Sequence, residues 1–196
     1  MATYAELQAL ILDDMHRSDL TSQVQTAISN AVAKLQYERY WFNEIQTSFS
    51  TTTTSDYDLA TYLPTVLEFD ELRVYRNGSP IRLERVAWEW LADADETLVT
   101  GTPSHWAVHH QVLRLYPAPD TELGVEVSGL KQLSVTAWCS LAPTLVRATA
   151  EVELYGLVTH DMAGAERAAQ FVQMERNALL RRTPTHAASG EVKGYM

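Results

Sequence analysis

The 196-residue chain has a single cysteine, Cys139, so no disulfide within the chain can staple the fold. With no histidine beside it in sequence, that thiol reads as buried and idle rather than nucleophilic. No run of about 18 apolar residues occurs, which argues against a membrane-spanning helix. The first residues lack the basic stretch followed by an apolar stretch that marks a secretory signal. Together these absences lead to the expectation of a soluble protein made in a reducing cytoplasm. Bases are also scarce: 15 Lys and Arg stand against 25 Asp and Glu, a formal net charge of -10. A protein that coats DNA or RNA needs a basic face to neutralise phosphates, so that class is excluded. A protein past which DNA slides without sticking is not. Glycine-rich phosphate loops of the GxGxxG and Walker types are missing, and so is the GxSxG elbow; Gly78 and Gly101 stand alone as turn glycines.

The acids are unevenly placed. Residues 45–136 hold thirteen acids and six bases, whereas residues 137–196 hold six of each. The middle of the chain is therefore chemically distinct from its flanks. Its hydrophobic period differs as well. Thr3 and Glu6 have the spacing of a capping box that opens a first helix over 3–15. Leu20, Val24, Ala27, Ile28, Ala31 and Leu35 recur at steps of three or four, predicting a long helix over 20–42. From Ile45 the period becomes two, with Ile45, Thr47, Phe49 and Thr51 on one side. The stretch SDYDLATYLP reads as a short edge segment stopped by Pro64. LRVYR-NG-SPIRL, 72–84, predicts a hairpin turned by Asn77 and Gly78, which tolerate positive φ; Pro80 suits its edge. A short helix over 83–95 follows, with Val86, Trp90 and Leu91 or Trp88 inward, then strands at 105–109, 112–116 and 122–131. Helices return at Pro143. One runs over 142–162 with Leu145, Ala148, Val152 and Tyr155 on its stripe. A last one carries Ala165, Ala168, Phe171, Val172, Met174 or Glu175, and Leu179 inward.

This order predicts an α+β fold: a bundle of about four helices, 1–44 and 137–182, interrupted by an antiparallel β-rich insertion, 45–136. Residues 183–196, small and polar, are expected to form a flexible tail.

Candidate chemistry is thin. His105, His109 and His110 lie close in sequence, but residues four apart on a strand stand about 13 Å apart, and a zinc site needs further ligands. Asp13 with Asp14, Asp93 with Asp95 and Glu96, and Asp120 with Glu122 fall at helix ends and turns, where Asp serves the local backbone. Arg147, Arg167, Arg176, Arg181 and Arg182 alternate with Glu151, Glu153, Glu166 and Glu175, as on a salt-bridged face. No catalytic residue, cofactor site or metal site is expected. Tyr40, Trp41 and Phe42 form the remaining constellation. They stand where the long helix hands over to the first strand, and are expected to plug a junction, with Trp41 and Phe42 sealing it.

The layout resembles a known family. The helix end LQYERYWFNE running into TSFSTTTTSDYDLATYLP, the step Tyr62-Leu63-Pro64, the stretch GTPSHWAVHHQVLRLYPAPD and a closing helix pair with a polar tail are similar to the head-to-tail adaptors of tailed bacteriophages. These are also called head completion or tail accessory proteins, here of the short-tailed type. The resemblance covers roughly residues 7–182. VHHQV departs from it, since glycine or asparagine is expected at that turn. The likeness implies a virion protein of the neck, at the head-tail junction. It implies a homo-oligomeric ring, commonly of twelve copies, beneath the portal protein. Viral DNA would pass through the lumen without specific binding, and a tail or nozzle protein would attach below. The tail end would order on the portal, with Arg181, Arg182, Lys193 and Tyr195 as portal-binding candidates. A nozzle or tail-tube terminator, and a virion peptidoglycan hydrolase using paired acids, are the alternative readings.

Overall fold

The computed structural model of the chain describes residues 3–95 and 99–183. In chain order the elements are α1 Tyr4–Asp14, α2 Thr21–Leu35, β1 Glu44–Ser50, β2 Asp56–Asp58, α3 Leu59–Tyr62, β3 Val66–Arg76, β4 Ser79–Arg82, β5 Glu84–Arg85, α4 Trp88–Asp95, β6 Thr100–Gly101, β7 His105–His109, β8 Val112–Tyr116, β9 Ala118–Pro119, β10 Gly124–Lys131, α5 Val135–Leu141, α6 Pro143–Glu153 and α7 Met162–Leu180. The fold is α+β, with seven α-helices and mostly antiparallel sheets among the described residues. Two compact units divide it: residues 1–43 with 133–196, and residues 44–132.

The first unit is helical. Thr3 N–H donates to Glu6 Oε2 at 2.8 Å and Glu6 N–H donates to Thr3 Oγ1 at 3.2 Å, the reciprocal capping box expected for α1. The α2 stripe is buried throughout, from Val24 to Leu35. Helix α2 stops at Leu35, seven residues short of the sequence expectation, and 36–43 run in turns. The cause is Asn43. Its side-chain oxygen accepts from Tyr40 N–H at 2.7 Å and its amide donates to the Glu38 carbonyl at 2.7 Å, with Asn43 itself fully buried. A side chain that binds the backbone locally offers an alternative to the helical ladder. Ser134 caps α5, a short helix that periodicity missed, through Ala137 N–H at 3.2 Å. Pro143 opens α6 in its first turn, as expected. The single helix expected over 142–162 is broken. Leu154–Val158 forms a π-helical turn around Gly156, His160 adopts φ 55°, and the Asp161 carboxylate caps α7 by accepting from Gly164 N–H at 2.9 Å. Helix α6 packs on α7 and α2, and α1 packs on α2, α5 and α6. Leu7, Ile11, Ile28, Leu35, Tyr40, Trp138, Leu145 and Leu154 belong to the shared core.

The second unit is built on two four-stranded sheets, ordered β1-β10-β3-β4 and β2-β8-β7-β5, plus the small β6-β9 pair. Alternation along β1 turns Ile45, Thr47 and Phe49 inward, as the period of two requires. Asn77 and Gly78 close the β3-β4 hairpin at φ 51° and 78°, and Pro80 sits on the edge strand opposite Tyr75. Tyr57, in the edge strand β2, is fully buried, and Asp58 caps the one-turn α3 by accepting from Thr61 N–H at 3.0 Å. Helix α4 starts five residues later than the expected 83. Residues 83–86 are drawn into sheet bonds instead, Glu84 N–H to Ser104 O at 2.8 Å and Val86 N–H to Trp106 O at 3.0 Å. Leu91 is fully buried in α4, whereas Trp90, expected inward, is exposed. The VHHQV turn needs no glycine, because His110 itself adopts φ 51°, a conformation His enters more readily than most residues. Leu72, Val74, Trp106, Leu113, Leu115, Val125 and Val127 form the core between the strands.

Candidate interaction surfaces

The aromatic triplet divides by environment. Tyr40 is fully buried, and Phe42 stacks on it at 5.5 Å. Trp138 meets both rings edge-on, at 6.0 and 5.2 Å. The Tyr40 hydroxyl donates to Glu38 Oε2 at 2.5 Å, and Arg176 from α7 grips the same carboxylate with two guanidinium N–H groups, one at 2.7 Å. Burial, then the Glu38 charge, push the Tyr40 phenol well above its usual range. The bond to Glu38 holds Arg176 more firmly protonated still. Trp41 is the correction. Expected to seal a junction, it is 50% exposed, touching Phe42 edge-on and donating its backbone N–H to Thr183 Oγ1 at 3.2 Å. Three consecutive residues in a turn cannot all point into one core, and Tyr40 and Phe42 take the inward places.

Arg181 and Arg182 directly follow α7, both exposed and without an ion pair among the described residues. Lys193 and Tyr195 lie outside the described residues, as does the tail 184–196. Two other arginines of the expected stripe turn inward to acids. Arg147 donates to Glu151 at 2.8 Å and to Asp14, and Arg176 is held by Glu38. Burial pushes the Glu151 carboxyl up despite Arg147 beside it.

The remaining sequence candidates are architectural. The His105 ring lies 4.8 Å from Trp90 and its Nδ1 is 2.8 Å from Ser104 Oγ. The His109 ring stacks on Trp88 at 5.1 Å and lies 4.1 Å from His110, while the Arg114 guanidinium sits 4.5 Å over Trp88. The imidazoles of β7 thus form the bed on which α4 rests. Among the described residues no group of three or more His, Cys, Asp or Glu is placed to hold a metal ion. Cys139 is fully buried, and burial raises its thiol pKa, the opposite of nucleophile activation. Asp14 and Asp120 are engaged by Arg147 and Arg76. Asp93 and Glu122 are exposed, while Glu96 lies outside the described residues.

What the sequence reading missed lies on α7. Phe171, expected inward, and Met174, expected inward as the alternative to Glu175, are 56% and 64% exposed, while Ala168, Val172 and Leu179 fill the core. The helix carries two neighbouring apolar stripes, and only one is covered. Leu157 in the π-helical turn and Met162 at the start of α7 add exposed apolar surface. A signal was present: Arg167 and Arg181 lie at helical spacing from Phe171 and Met174, and a core stripe would not carry them.

The described residues thus combine histidine rings packed on α4, a buried thiol and an apolar face of α7 left exposed. The chain belongs to the SU10 adaptor protein family, whose match spans residues 2–193, and is thereby a phage adaptor protein. No curated protein matches it.

Proposed function

We propose that copies of this chain form a ring, of about twelve subunits by the family likeness, beneath the portal of a tailed phage, extending the DNA channel and offering the surface to which the tail attaches. The observation that carries this reading is the family match across residues 2–193. The helical unit packs around the channel and the unit of residues 44–132 reaches toward tail or nozzle components. The segment after Thr183, including Lys193 and Tyr195, joins Arg181 and Arg182 against the portal. The charge distribution supports the channel role, since the thirteen acids of residues 45–136 repel a passing duplex where they face it. The exposed apolar stripe of α7 supports assembly, because contiguous uncovered apolar surface marks interaction sites. The chain has no enzymatic role in this reading.

Cryo-electron microscopy of the chain mixed with its phage's portal protein tests it. The expected result is a closed ring of copies on the portal, with the chain monomeric by sedimentation when dilute and alone. Binding to tail protein in the absence of any portal contact would overturn it.

A further inference from the structure

The α7 stripe consists of Ala163, Arg167, Phe171, Met174, Ala178 and Arg181, at steps of three or four, all exposed. It contains two arginines and no acid; Glu166 and Glu175 lie to either side. A two-fold contact of this stripe with itself would set arginines against a surface of the same sign, so a second copy must present something else. Helix α1 presents it. Glu6, Ala9, Leu10 and Asp13 share its outer face, all exposed, with acids, apolar groups and no base. Helices α1 and α7 both pack on α6. Each copy therefore carries two different strips, complementary in charge and both apolar at the centre, on separate helices. That is what a head-to-tail contact needs if it is to close into a ring.

We propose that neighbouring copies seat the α1 strip of one on the α7 strip of the next, Leu10 against Phe171 and Met174, with Asp13 toward Arg167. The proposal rests on the ring reading above. Two short strips make a small contact, which suits a chain that assembles on a template and stays apart when dilute.

The test uses the full chain with its portal protein. A photo-crosslinking amino acid at position 171 should join to residues 5–13 of a second copy in the assembled ring. Arg167→Glu should lower ring occupancy on the portal at least tenfold, and adding Asp13→Arg should recover most of it, with circular dichroism unchanged since both positions are exposed. Rings that form while position 171 crosslinks to the portal, or to residues 184–196 of its own chain, overturn this contact and leave the ring reading intact. Rings indifferent to Arg167→Glu do the same. If the unaltered chain forms no ring on the portal at all, both readings fall.

Discussion

Removing the Tyr40 ring empties a fully buried site against Phe42 and Trp138 and leaves Arg176 and Glu38 without the hydroxyl. Tyr40→Ala should cost about 3–5 kcal/mol in urea unfolding, whereas Trp41→Ala, one residue on and half exposed, should cost about 1 kcal/mol. Equal costs would contradict the burial described. Asp19 offers a titration test. The hydrogen bonds from Arg17, at 2.6 and 2.7 Å, lower its carboxyl from 3.8 to about 2. A lowered folded value means that this contribution to stability is present above pH 3.8 and is lost as the pH falls toward 2. The pair is exposed, so the effect is small, but carboxyl NMR should place Asp19 near 2 and Arg17→Ala should return it toward 3.8. Glu151 acts in the opposite sense: its raised carboxyl favours the fold most below 4.5 and progressively less as the pH rises. The burial of Tyr40 was not legible in the sequence, because three adjacent aromatics look alike until the turn made by Asn43 assigns them directions.

At the scale of the element, the register of β10 against β3 shifts between Ser128 and Gly129, where Asp70 of β3 is passed over. A Cβ on Gly129 would fall 1.9 Å from the Glu68 carbonyl oxygen, a backbone atom that cannot move aside. Gly124, at the start of the same strand, has open space around it. Gly129→Ala should therefore destabilise by about 3 kcal/mol or more and Gly124→Ala by less than about 0.5 kcal/mol, read by thermal unfolding. Helix α1, the β3-β4 hairpin and the strands β7, β8 and β10 were all legible from caps, turn residues and periodicity. The end of α2, the start of α4 and the break after α6 were not. Each is set by bonds that pattern does not reveal: Asn43 to the backbone of 38–40, residues 83–86 to neighbouring strands, and Asp161 to Gly164.

At the scale of the molecule, Glu44 of β1 pairs with Leu130 of β10, so the chain enters and leaves the second unit on adjacent strands. Replacing residues 44–132 by a short glycine-serine linker should leave a helical protein that unfolds cooperatively, since α1, α2, α5, α6 and α7 share one core of their own. A non-cooperative, molten product by circular dichroism and thermal melting would mean that the helices depend on the sheet unit. The same separation gives the acidic middle of the chain a structural address, because all thirteen of its acids fall within one compact unit.

The sequence by itself determined the local decisions and the α+β class: which residues cap, which turn tightly, which segments run with a period of two or nearly four, and the family likeness carried by those soft patterns. These depend on neighbours a few residues apart. Only the tertiary structure decided which of two apolar stripes of α7 is covered, which of Tyr40 and Trp41 is buried, and that Arg176 reaches Glu38 across 138 residues of chain. Competition for a finite interior settles those choices, and no local pattern records its outcome.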